Sequence, residues 1–432
     1  MKKTLFGMLC LLAATMAEAG VSIEQWMTSS GARVYFVASR GLPMLDVQID
    51  FAAGSAYEAS DGGRFAGLAR LTNDLLDAGV SGLDEEQIAA RLGDIGARLT
   101  RSIDPDRASM GLRTLSAKAE RDAALELLRA MLVTPTFPAD AVGREKARSI
   151  AEIQEAETRP ESILAKRFAA AIYPGHPYGL QATAESVGRI GRDELMTFWR
   201  SHYGARRATV TIIGDVSRAE AEIIATRLCA ALPDAPPDAP LATVTAPARQ
   251  TIRIAHPASQ AHISIGLPMI RRGDADFFPL LVGNYVLGGG GFVSRLMQEV
   301  REKRGLAYSV YSSFSPRKLE GPFQISLQTK RSQAAEALQV VSATLAQFLE
   351  QGPSMSELRA AKQNLIDGQA LGLDSNAKLL RTVAMIGFYQ LPLNYLDDFP
   401  GRVEAVTAGQ VRLAFARHVQ PEHLVTAILA GD

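Results

Sequence analysis

What most constrains this chain is that it describes nearly the same unit twice. Residues 232–247 carry five prolines (Pro233, Pro236, Pro237, Pro240 and Pro247) with few large apolar residues and neither a helical nor a strand period, the composition of a linker. On either side of it, matched elements follow one another in the same order. Each half closes on an apolar strand that runs into Gly-Asp, at Gly214-Asp215 and again at Gly431-Asp432. Before those strands lie helices of matching type at 191–202 and 408–418. Further upstream, 117–132 pairs with 330–348 and 139–157 pairs with 356–371, all with apolar residues at three- and four-residue steps. Four matched elements in one order imply an internal duplication.

The remaining periodicity is that of strands. Residues 43–51 place Leu45, Val47, Ile49 and Phe51 on one face, the alternation of a half-buried strand, and 262–268 is its counterpart in the second half. Further strands are expected at 33–38, 106–115, 307–314 and 322–329. Strands, helix, strands, several helices and a final strand make each half an α+β unit, a mostly antiparallel sheet with helices packed on one face. The expected domains are therefore residues 20–231, a linker at 232–250, and 251–432.

The first nineteen residues read as a leader. Lys2 and Lys3 precede an apolar run from Leu5 to Ala14, and Ala17-Glu18-Ala19 has the small-x-small form cut by signal peptidase. The run is far short of the roughly 20 residues of a membrane span, so no stable membrane span is expected and a bacterial periplasm fits. Cys10 would leave with the leader, and Cys229 alone cannot form an intrachain disulfide. Forty-six basic against forty-six acidic residues leave no net field to hold nucleic acid.

Chemistry concentrates in two places. The first runs Leu287-Gly-Gly-Gly-Gly-Phe-Val-Ser-Arg-Leu, reaches Arg301, and enters a strand through Gly305-Leu-Ala-Tyr308. No Gly-Lys-Ser/Thr follows the glycines, so a phosphate loop is not indicated. This stretch resembles the second-half signature of the pitrilysin (insulinase) family of zinc peptidases. The resemblance implies the LuxS/pitrilysin-like metalloenzyme fold. It also implies that Arg301 and Tyr308 reach an active site across the assembly, where they hold substrate and stabilise the tetrahedral intermediate. A fixed cation and a phenol can both donate to a developing oxyanion.

The second place is where the chain departs from that family. Active members carry H-x-x-E-H on a helix, two His for zinc and a Glu to activate water, with a Glu on a later helix as third ligand. The matching helix here is 67–79, with Arg70 and Asp74 at the His positions, Asn73 at the position of the base, and Glu152 at that of the third ligand. An Arg cannot ligate a cation and an Asn cannot take a proton from water. None of the six His (His176, His202, His256, His262, His418, His423) is three or four residues from another, so no helical two-His site exists elsewhere. Ser201, His202 and Asp215 make no spacing-supported triad.

The resemblance thus implies a non-catalytic subunit with no cofactor of its own. Zinc is expected in a homologous partner bearing H-x-x-E-H, and an extended peptide is the expected substrate. A peptidase-like peptide-binding or scaffold protein without proteolytic role is the alternative.

Overall fold

The structure, a computed structural model, describes residues 21–237 and 240–431; the expected leader, with Cys10, and Asp432 lie outside the described residues. In the first half the strands are β1 (Glu24–Met27), β2 (Arg33–Ala38), β3 (Met44–Phe51), β4 (Arg98–Ile103), β5 (Ala108–Leu115) and β6 (Ala208–Gly214). The second half has β7 (Gln250–Ala255), β8 (Gln260–Ile270), β9 (Ala307–Phe314), β10 (Gly321–Lys330) and β11 (Val425–Ala430). The sheet orders are β1-β2-β6-β3-β5-β4 and β9-β10-β8-β11-β7. Apart from the extra β1, the two orders correspond strand for strand. Each also has one parallel pairing at the same place: Arg33 to Ala38 runs alongside Thr209 to Gly214, and Gln250 to Ala255 alongside Val425 to Ala430. All other pairings are antiparallel. The sheets are thus mostly antiparallel, as the periodicity implied.

One face of each sheet packs on helices of its own half. Leu45, Val47, Ile49 and Phe51 are fully buried against residues such as Leu71, Leu128 and Leu195. The opposite faces are covered by an exchange of helices between halves. Helix α2 (Pro160–Ile172), from the first half, lies on β8 and β11, while α3 (Asn376–Phe388), from the second half, lies on β2, β3 and β6. Gly387 lets α3 come this close, because a Cβ there would stand 2.6 Å from the Tyr35 ring.

This exchange corrects the expectation of a half-buried β3. Asp46 and Asp50, on the face alternate to Leu45, are buried as well, Asp46 against Arg113 at 2.7 Å and Asp50 beside Arg107 at 3.6 Å. Burial raises the Asp50 carboxyl above its usual range, with Arg107 and hydrogen bonds from Ser109 and Gln48 partly offsetting it.

A second joint between the halves is Asp106, which lies in the turn before β5 rather than in the strand that alternation suggested. Its buried carboxylate accepts from the Tyr178 hydroxyl, from the Tyr389 hydroxyl at 2.8 Å and from the Lys318 backbone N–H at 2.8 Å. Two of these donors come from the second half. The Pro-rich connection is also held down: Arg207 donates to Pro236 O at 2.8 Å and to Pro237 O at 3.2 Å, and Leu241 and Val244 pack under α2. Strand β7 begins at Gln250, within the expected linker. Cys229 is a free, buried thiol pushed up to about 12 by burial. Among the described residues no helix is long and apolar enough to cross a membrane.

Candidate functional site

The helix at the position of the zinc motif, α1 (Leu68–Asp74), is shorter than the sequence suggested and stops at Asp74. Gly67 precedes it at φ +101°, a conformation natural to glycine. Its N-terminus is held by a residue that local sequence patterns did not single out. The buried Glu58 accepts from Gly67 N at 2.6 Å and Ala69 N at 2.8 Å. Burial pushes the Glu58 carboxyl up to about 7, against the lowering effect of those N–H donors.

On α1, Arg70 projects with 59% of its side chain exposed and lies 3.9 Å from Asp74, an i, i+4 pair. Asn73 is 1% exposed; its Nδ2 donates to Ser102 O at 3.3 Å, and its Oδ1 is buried without a partner. Arg101 donates to Asp74 O at 2.8 Å and also pairs with Asp77. Glu152 lies on the helix Ala139–Ala156, 59% exposed and 3.9 Å from Arg148. Burial raises Asp74 above the usual carboxylate range, and Arg70, Arg101 and Arg148 draw it back down.

The four sequence-selected residues therefore surround a charge cluster with three guanidinium groups. This donor set does not fit a zinc ion. Two of its carboxylates already face arginines, the amide oxygen of Asn73 is a weak lone donor, and a fixed cation stands at the position of the first His. Among the described residues, the three-carboxylate-or-His grouping compact enough for a metal is Asp274, Asp276 and His418. There Arg417 and His418, at 2.5 and 2.8 Å, already occupy the same Asp276 oxygen.

The second-half motif is a different kind of place. Gly288 packs so tightly on β9 that a Cβ would lie 2.4 Å from Ser312 N, and Gly291 turns the chain at φ +61°. The segment after Ser294 is wound as a π-turn over Met297–Glu302 instead of a regular helix, a local widening that often accompanies functional sites. Arg295 anchors it with paired bonds of 2.7 Å to Glu357 and one of 2.8 Å to Gly352 O.

Arg301 and Tyr308 are brought together. The Arg301 guanidinium carbon lies 4.9 Å from the centroids of both the Tyr308 and Phe292 rings. Tyr308 sits on the edge strand β9 at a register shift between Ala307 and Ser309. A bulge there turns its ring outward, and the residue is 83% exposed. Among the described residues its hydroxyl has no hydrogen-bond partner. Phe292 and Val293 are exposed alongside it. The elements bearing the pair pack on the second half, against the helix Ala334–Gln351 and strand β10, so Arg301 and Tyr308 are not joined to Arg70, Asn73, Asp74 or Glu152. The sequence motif gave the Arg and the Tyr; Phe292, the second ring of the sandwich, was visible only as an apolar residue after a Gly run.

Comparison with known proteins gives the family and the fold. A family profile described as insulinase (peptidase family M16) matches residues 37–185, and one described as peptidase M16 inactive domain matches residues 189–365. An uncharacterised zinc protease of Mycobacterium leprae is 30% identical over 329 residues, 74% of this chain and 73% of that protein. A Helicobacter pylori protein named a non-peptidase homologue is 24% identical over 417 residues, 96% of this chain and 95% of its own. Among solved structures, a peptidase M16 inactive domain from Pseudomonas fluorescens superposes with a TM-score of 0.91 at 36% identity, covering 95% of this chain and 98% of that one.

Proposed function

This chain belongs to the insulinase family of peptidases (family M16) as an inactive peptidase-like member, and we propose that it is the non-catalytic subunit of an exported zinc metallopeptidase. In this reading it closes a chamber with a homologous H-x-x-E-H-bearing subunit in the periplasm, grips an extended peptide, and supplies Arg301 and Tyr308 to the partner's zinc site. One observation carries it. The chain keeps a half-buried Arg301 stacked against an exposed, outward-turned Tyr308 with an unused phenol donor, while its own α1 carries Arg70 at the position of the first zinc ligand. A cation and a phenol held side by side at a surface are placed to donate to a group that docks there. The basic, apolar, small-x-small leader supports export.

The experiment is reconstitution. The chain and an H-x-x-E-H relative from the same host are purified separately and then mixed. Chelator-sensitive cleavage of an unstructured peptide should rise at least tenfold over that of either chain alone, and the two should elute together. If the relative is fully active alone and the two chains elute apart, the protein is not a subunit of that enzyme.

A further inference from the structure

A groove lies where the first half passes α2 across the second half's sheet. It has a volume of about 980 Å³, at the upper end of the range of roughly 300–1,000 Å³ seen for small-molecule sites. Ile153, Ile163 and Leu180 line it with half-buried apolar side chains from the first half, and Arg317 comes into it from the second.

Arg317 is half-buried and framed by two tyrosine rings. Its guanidinium lies 4.8 Å from the ring centroid of Tyr178 and 5.8 Å from that of Tyr173. Both rings are fixed by their own hydroxyls, Tyr178 to Asp106 and Tyr173 to Glu320 O at 2.9 Å. The backbone is fixed too, since Arg317 O accepts from Arg272 N at 2.6 Å. Yet Nη1 of Arg317 is buried without a partner, and among the described residues the side chain makes no ion pair. The Asp106 carboxylate accepts from Tyr178, Tyr389 and Lys318 N instead.

Arg317 lines the groove, and a carboxylate entering it would meet the guanidinium with charge-assisted bonds. The rest of the lining has the same sign. Three cations, Lys166, Arg167 and Arg317, line the groove with the single carboxylate Glu157, which Lys166 already holds at 3.0 Å.

We propose that this groove binds the C-terminal carboxylate of a peptide with apolar terminal residues, with Arg317 as the carboxylate-binding group and the Ile153, Ile163 and Leu180 wall as the seat for the apolar side chains. A chain end supplies the carboxylate that a continuing segment lacks, and its last side chains lie beside the apolar wall. The proposal deepens the reading of the chain as a peptide-gripping subunit, but the site belongs to this chain alone. It is therefore testable without a partner.

The test is fluorescence anisotropy of the isolated chain with fluorescein-labelled Gly-Ser-Gly-Ala-Leu-Val-Leu as the free acid and as the C-terminal amide. The acid should bind about tenfold to a hundredfold more tightly, the range expected for a charge-assisted bond to a buried group. Arg317→Ala should abolish the difference, and Arg317→Lys should restore only part of it, since an ammonium cannot make the two-pronged contact. Thermal melting of each variant checks folding; if Arg317→Ala does not fold, the acid-to-amide ratio of the parent and of Arg317→Lys decides. Acid and amide binding alike, or no peptide binding, overturns the proposal, as does an Arg317→Ala protein that keeps the preference. Arg317-dependent binding of laurate without binding of the peptide acid also overturns it and makes the groove a fatty-acid site. None of these outcomes depends on Arg301 or Tyr308, so this inference and the subunit reading can fail separately.

Discussion

Tyr308→Phe is the most discriminating perturbation of the subunit reading, because the structure separates its cost to folding from its cost to function. The substitution keeps the ring that stacks on Arg301 at 4.9 Å and removes a hydroxyl that has no hydrogen-bond partner here and belongs to a residue 83% exposed. Its expected effect on stability is within about 0.5 kcal/mol, as for surface changes generally. Arg301→Ala removes more: two ring contacts worth about 0.5–1 kcal/mol each at an exposed site and a 3.6 Å pair with Glu302 worth about 0–1 kcal/mol after solvent screening. That is tolerable for a domain of this size. If instead each group donates to an oxyanion in the partner's site, each substitution should slow turnover by about a hundredfold to a thousandfold, or roughly 3–4 kcal/mol of transition-state stabilisation. The assay is kcat and kcat/KM of the reconstituted complex on a fluorogenic peptide, with melting curves, zinc content and co-elution measured on the same samples. Arg304→Ala serves as control, since Arg304 bonds only to Glu299 nearby, at 2.7 Å. Rates within twofold of the parent for both Arg301→Ala and Tyr308→Phe would refute the active-site role and leave a scaffold.

Other expectations follow from the same structure. The isolated chain should carry well under one zinc per molecule by elemental analysis and should cleave no unstructured peptide; one equivalent of zinc with chelator-sensitive cleavage would overturn the account of α1. Glu58, whose folded value of about 7 exceeds its ordinary 4.5, contributes stability that is present below about 4.5 and lost as pH rises through 7, on the order of 3 kcal/mol in all. The melting temperature should therefore fall between pH 5 and pH 8, and Glu58→Gln should flatten that slope even though the amide caps α1 less well; an unchanged slope rejects the assignment. Asp106→Ala strands three donors in the seam between the halves and should destabilise by about 3 kcal/mol or more, read by urea denaturation, whereas a loss under 1 kcal/mol would mean that the seam is held elsewhere.

How much of this was legible in the sequence depends on the range of the interaction. Strand and helix positions follow from local periodicity, and β2, β3, β8, β9 and the paired helices fall within a few residues of where alternation and three-to-four spacing put them. The duplication was legible because it repeats such local signals. Interactions between distant segments left no local trace. Residues 160–172 read as an ordinary amphipathic stretch, and nothing in them says that Leu164 and Phe168 cover Val425 and Ala427 in the other half. Asp106 sits in Asp104-Pro-Asp-Arg107, where alternation suggested the start of a strand, and its buried role requires Tyr389, 283 positions away. The same limit holds at the sites. Resemblance to a family signature singled out the α1 segment, Arg301 and Tyr308, but Glu58 as a cap and Arg148 as the partner of Glu152 needed the folded chain.

The helix exchange also bears on why a half with no zinc ligands persists. Helix α2 is part of the first half, yet its Leu164, Phe168 and Ile172 are buried with Val425, Ala427 and Leu429 of the second. Helix α3 does the converse service with Leu379, Val383 and Ile386 against Tyr35, Val37 and Ile213. Removing residues 20–231 would therefore uncover the apolar face of β8 and β11, besides taking away Asp106 itself and Tyr178. At about 25 cal/mol per Å² of apolar surface, several uncovered side chains amount to a large fraction of the 5–15 kcal/mol that holds a typical domain folded. The first half is thus a structural part of the second, and the face presenting Arg301 and Tyr308 is available only while it is there. The absence of H-x-x-E-H removes chemistry from α1 without removing this packing, because Arg70 projects outward and Asp74 is half-buried while Leu68, Leu71 and Thr72 fill the core.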